Sequence, residues 1–439
     1  MKKVFFIILS LILITGCDPK IDEITPSSGR ADFSRFIAVG NSLVAGYSNS
    51  ALYHNGQIYS IPNILAGQLK LVGAGNFIQP LVNSEYGIDF PGSAPKLKLG
   101  YRTDCRGIQS LGPVPDIGAK DPLQPVGYQV HNLGIPGVKS FHMIYPGYAL
   151  ANPYYARFAT NAGNMVIEEI PPLNPTFFVM WLGDNDVLVY AISGGEADSI
   201  TPQNTFAYAL NNVFESLINN GAKGVVATIP DITTIPFFTT VPYNGLVLPR
   251  QSLVDSVNMA MQLYQLPFVY QLGPNPFLIP EPNSPHPLFK VRQMKPGELV
   301  LMTVPQDSIK CSGMGLISAH TFMPYPIPDH YILTENEIAD ITNATAGFNQ
   351  TITNLAQTHE LGVVDISARL AELQSGIVWD GIKMSTKYVT GGVFSLDGIH
   401  MTPRGCAVAA NYFIDEINAQ YESMIPQVDV TKYPGEIFP

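Results

Sequence analysis

Short apolar runs that end at a glycine or proline alternate along this chain with stretches of helical period, and that alternation limits the fold more than any other feature. Phe36 to Val39 is closed by Gly40, Thr176 to Leu182 (Thr-Phe-Phe-Val-Met-Trp-Leu) is bounded by Pro175 and Gly183, and Gly224 to Ile229 runs into Pro230. Apolar, β-branched and aromatic residues between such breakers read as buried strands. Between them, Gln57 to Leu71 repeats Ile61, Ile64, Leu65 and Leu69 at helical spacing, and Thr201 to Asn220 puts Phe206, Leu210, Val213, Phe214 and Leu217 on one face before Gly221. Val126 to Leu133 and Leu361 to Ile366 read as further strands, Leu333 to Thr358 and Ala407 to Tyr421 as further helices. Strand alternating with helix predicts an α/β fold with a mostly parallel, doubly wound sheet. Such sheets bind ligands beyond the carboxyl ends of their strands. Ser42, just past Gly40, would lie there.

The rhythm fails twice, at about 73–127 and 231–328. The first stretch is rich in Gly and Pro, and a loop of that length is usually functional or an inserted subdomain. The second carries Ile235-Pro236-Phe237-Phe238, Phe277-Leu278-Ile279-Pro280 and Met323-Pro324-Tyr325-Pro326. Aromatics punctuated by proline do not build a helix or a central strand. This stretch is either a packed structural insertion or an apolar rim beside a cleft. Residues 31–439 thus read as one domain with two insertions. Hydrophobic residues make up 46% of the chain, enough for a large core, while 37 prolines and 38 glycines favour irregular loops. The net charge of −11 argues against nucleic acid and against an anionic lipid surface.

At the start, Lys2 and Lys3 precede the apolar run Val4 to Ile14, and Ile14-Thr15-Gly16-Cys17 follows. This has the form of a bacterial lipoprotein signal, 1–16, cleaved before a lipidated Cys17. The plainer alternative is a simple signal peptide or short anchor. Residues 17–30 would be a flexible tether, and the protein would be held at the membrane of the cell envelope, with the outer membrane favoured. Of the remaining cysteines, Cys105 and Cys311 could form one bridge in an oxidising compartment, and Cys406, at the start of an apolar helix, reads as a buried thiol. No cysteine pair is spaced like a metal site.

Three later segments add to Ser42: Asn132-Leu133-Gly134-Ile135-Pro136-Gly137, Gly183-Asp184-Asn185-Asp186 and Asp397-Gly398-Ile399-His400. Singly, each is ordinary turn composition. Together and in this order they resemble the four signature blocks of the SGNH (GDSL-type) serine hydrolases. That resemblance implies a flavodoxin-like three-layer α/β/α sandwich, a Ser42-His400-Asp397 triad, and an oxyanion hole made by the Ser42 and Gly137 N–H groups with the Asn185 amide. It implies no cofactor. The family's first block usually has Asp where this chain has Asn41, which removes a negative charge beside the nucleophile. Asp184 and Asp186 read as turn residues rather than a metal pair, and the other histidines lack an Asp at this spacing. The expected activity is hydrolysis of small-molecule or lipid acyl esters. The alternatives are removal of acetyl groups from polysaccharide and a catalytically silent binding lipoprotein.

Overall fold

A computed structural model describes residues 25–439. The expected signal peptide, Cys17 and the first part of the tether lie outside the described residues.

Five strands, β1 (Phe36–Gly40), β2 (Asn132–Gly134), β3 (Phe177–Trp181), β4 (Lys223–Ala227) and β5 (Gly362–Val364), form one sheet in the order β2-β1-β3-β4-β5. Every pairing is parallel. This is the flavodoxin-like order, in which the winding direction reverses between β1 and β3. All five residues of β1 and of β3 are buried, because a sheet covered on both faces has no polar side to alternate with. The covering helices are α1 (Ser42–Ala45), α2 (Ile61–Leu69), α3 (Asn185–Ala191), α4 (Gln203–Ile218), α5 (Glu335–Thr358) and α6 (Pro403–Tyr421). Phe177 and Trp181 of β3 pack onto Tyr421 and Phe413 of α6. Phe206 of α4 stacks on Phe348 of α5 at 4.0 Å between ring centroids.

Several expected boundaries move for local reasons. The second strand is only Asn132–Gly134, not Val126 to Leu133. Helix α5 starts at Glu335 rather than Leu333, because Ile332–Leu333 pairs with Leu299–Val300 and Thr334 caps the helix with Glu337 reaching back to it. The tether expected to run through Arg30 is already fastened at Ser27, which bridges to Met424, and Arg30 N–H donates to Tyr421 O at 2.7 Å. The last carbonyls of α6 have no partner within the helix, and the entering chain supplies one.

The insertions are more ordered than their composition suggested. The first contains an antiparallel hairpin, Lys96–Thr103 against Gln109–Asp116. The second contains a helix, Gln251–Leu263, whose buried Val254, Val257 and Met261 recur at helical spacing. The expectation that the aromatic, proline-punctuated runs build no helix is corrected at Pro236–Thr239, a single helical turn that its proline starts, while Gln251–Leu263 lies between prolines that do not enter it. Short antiparallel pairs and this helix close over a separate small core that includes Phe277, Leu278 and Ile327. A Cys105–Cys311 disulfide joins the two insertions, and Cys406 is a buried free thiol.

Candidate active site

Gly40 ends β1 where no side chain fits: a Cβ there would lie 2.1 Å from Trp181 O. Asn41 then caps α1, its Oδ1 accepting the Leu43 N–H at 2.9 Å. Gly46, at φ 81°, closes the single turn. Ser42 is thereby held at the first helical position, past the carboxyl end of β1 at the switch point of the sheet.

His400 Nε2 lies 2.9 Å from Ser42 Oγ, and His400 Nδ1 lies 2.9 Å from Asp397 Oδ2. An ionised carboxylate only accepts, so Nδ1 carries the proton and Nε2 is free to accept from the serine hydroxyl. Asp397 is the hub of its loop. Its Oδ1 accepts the N–H groups of Ile399 and His400 and the hydroxyl of Ser395, and its Oδ2 also accepts the Ser50 N–H at 2.9 Å. Burial alone would raise its pKa, but the His400 charge and these hydrogen bonds outweigh that and hold it well below the usual carboxylate range. The Tyr47 ring packs 4.8 Å from the His400 ring.

Asn185 starts α3 at the end of β3, so the sheet order brings it beside Ser42. Its amide donates to Val138 O at 2.9 Å, and it shares with Ser42 and His400 the wall of one recess. Gly137 stands one residue from that carbonyl, exposed, at φ 78°. A Cβ on Gly137 would touch nothing within 4 Å, so glycine is required by its backbone angle and not by crowding within the protein. The Gly137 N–H donates to none of the described residues. The Ser42 N–H, at a helix start, has no intrahelical acceptor.

A buried carboxylate lies beside Asn41. Asn41 Nδ2 donates to Asp184 Oδ2 at 2.5 Å, and Trp181 Nε1 donates to Asp184 Oδ1 at 3.2 Å. Burial pushes the Asp184 carboxyl up to about 6. Asp186 is engaged separately by the Ser140 N–H and hydroxyl. Among the described residues no group of three or more His, Cys, Asp or Glu side chains is placed to hold a metal.

The recess beside Ser42 is apolar, walled by Leu188, Ile232, Ile235, Leu370, Phe394 and Ile399 among others. Ile232 and Ile235 come from the second insertion, which also braces the Asp397–His400 loop: Phe237 N–H donates to Gly398 O at 3.0 Å. Asn49, Ser50 and Ser395 were not singled out in the sequence. Asn49 accepts the Leu396 N–H, and its own N–H donates to Ser395 Oγ. Asn49 and Ser50 both have positive φ, yet in the sequence they are only turn composition.

Neither a family model nor a curated protein matches this chain. A solved lipase/acylhydrolase from Enterococcus faecalis is similar over 90% of this chain and 98% of its own, at 10% identity and a TM-score of 0.33. At that distance the likeness adds nothing to what the strand order and the side-chain geometry say by themselves.

Proposed function

We propose that the chain is a carboxylic ester hydrolase of the lipase or esterase type. The observation that carries this reading is the continuous relay from Ser42 Oγ through His400 to Asp397, with both links at 2.9 Å. A serine hydroxyl is a weak nucleophile at neutral pH and needs such a base. In this reading His400 takes the Ser42 proton as Oγ attacks the ester carbonyl, then returns it to the departing alcohol. Water, deprotonated by His400, cleaves the acyl-enzyme. The Ser42 and Gly137 N–H groups and the Asn185 amide stabilise the oxyanion. Asp397 remains charged and steadies the imidazolium.

The apolar lining of the recess supports esters with an apolar portion over sugar acetates. The Lys2-to-Cys17 pattern supports a lipid anchor in the cell envelope. The test is hydrolysis of p-nitrophenyl esters from acetate to palmitate by the protein lacking residues 1–17, with Ser42→Ala and His400→Ala as controls. Rates that need both residues and rise with chain length support this function. Activity confined to acetate favours deacetylation. A folded protein with no rate above the controls is a binding protein.

A further inference from the structure

Among the described residues the buried carboxylate of Asp184 has no cation beside it and forms no salt bridge. It nevertheless lines the recess that holds Ser42 and is 5% exposed. We propose that Asp184 is a positioning residue for the nucleophile, acting through Asn41. This rests on the hydrolase reading above.

The argument is one of matched donors and acceptors. Asp184 receives two donors, Asn41 Nδ2 on one oxygen and Trp181 Nε1 on the other. A carboxylate, with no hydrogen of its own, accepts both. Because Asp184 only accepts, Asn41 must turn its Nδ2 toward Asp184 and its Oδ1 toward the Leu43 N–H. That second bond caps the turn on which Ser42 is the first residue. The chain of orientation therefore runs from Trp181 through Asp184 and Asn41 to the backbone that carries Ser42. The partners are 143 residues apart and meet only because β1 and β3 are neighbours in register, Gly40 opposite Trp181.

An amide at position 184 cannot substitute. With one oxygen and one NH₂, it must turn a donor toward either Trp181 or Asn41. If Asn41 flips to accommodate it, a donor faces the Leu43 N–H instead. A carboxylate at position 41 alone sets two acceptors against each other. Exchanging the two side chains restores every pair. The carboxylate, moved to position 41, accepts from the Leu43 N–H and from the amide moved to position 184, and the oxygen of that amide accepts from Trp181.

The experiment compares Asp184→Asn, Asn41→Asp and the double exchange, all with intact wild-type protein as reference. Steady-state ester hydrolysis, the rate of labelling by a fluorophosphonate and thermal unfolding are measured. Each single variant is expected to lose about 10- to 100-fold in kcat and in labelling rate, with KM unchanged, as one buried donor or acceptor goes unmatched. The double variant is expected to recover to within about five-fold of wild type. Singles within two-fold of wild type overturn the proposal. So does a double variant as slow as the product of its singles, or singles that unfold more easily yet label normally while folded. A wild type that neither hydrolyses nor labels sinks the hydrolase reading, and the proposal with it.

Discussion

The parallel sheet and the second insertion bury similar side chains by opposite means. In β1 and β3 every residue is buried and paired with a neighbouring strand in register. In the insertion no strand exceeds three residues, and a helix closes over a small separate core containing Met261 and Phe277. The Asp397–His400 loop lies where the two meet. From the sheet side Ser50 and Asn49 hold Asp397 and Leu396; from the insertion side Phe237 holds Gly398. The sheet ends and the side chains at them hold Ser42, and the Asp397–His400 loop is clamped between scaffold and insertion. Ser42 is thus placed from the sheet side, whereas His400 is held from both regions.

The largest expected effect cuts the base loop itself. Asp397→Asn leaves His400 without the partner that sets its tautomer, and kcat for ester hydrolysis is expected to fall by about 10³- to 10⁴-fold. A fall under ten-fold would show that the loop's backbone bonds, not the carboxylate, orient the imidazole. Next, Phe178→Ala in the sheet and Phe277→Ala in the insertion, both fully buried, should each cost about 3–5 kcal/mol. The first is expected to lower the main unfolding transition. The second is expected to open the insertion first, with early hydrogen exchange there and a loss of activity before global unfolding. A single shared transition for both would erase the distinction between the regions.

Removing the bridge between the insertions is expected to do less. The Cys105–Cys311 disulfide spans 206 residues of sequence, and the Cys105→Ser, Cys311→Ser double variant should lose about 2–4 kcal/mol in thermal or denaturant unfolding. If its hydrogen-exchange loss falls in the sheet instead of the insertions, the two regions are more tightly coupled than the contacts indicate.

The smallest effect concerns the carboxy-terminal tail. Burial, and then the Asp397 charge, push the Glu436 carboxyl from 4.5 up to about 7. A raised acid pKa means that ionisation opposes folding. The cost is absent below about 4.5, grows as pH rises to about 7 and then stays constant. Glu436 is only half-buried, and solvent screening cuts the effect well below the full linkage value, so Glu436→Gln is expected to gain about 1 kcal/mol at pH 8 and nothing at pH 4. Equal stability at both pH values would place Glu436 in open solvent.

Much of this was legible in the residues. Fully apolar runs such as Phe177 to Trp181 announce a strand covered on both faces, and the apolar spacing of α4 announces its buried face. The hairpin in the first insertion left a faint trace, the alternation Lys96-Leu97-Lys98-Leu99, hidden among glycines and prolines. The helix Gln251–Leu263 carried a helical period that the surrounding prolines obscured. Ser42, Asn185, Asp397 and His400 stood out because each sits in a compact local pattern.

By itself, then, the order of apolar periods determined the layers of this protein, and short motifs named the side chains at the strand ends. Only the tertiary structure decided their partners. Ser50 reaches Asp397 across 347 positions, and Asp184 reaches Asn41 across 143. Local periodicity depends on neighbours a few residues away. A hydrogen bond across the sheet depends on strand order and register, which exist only once the chain has folded.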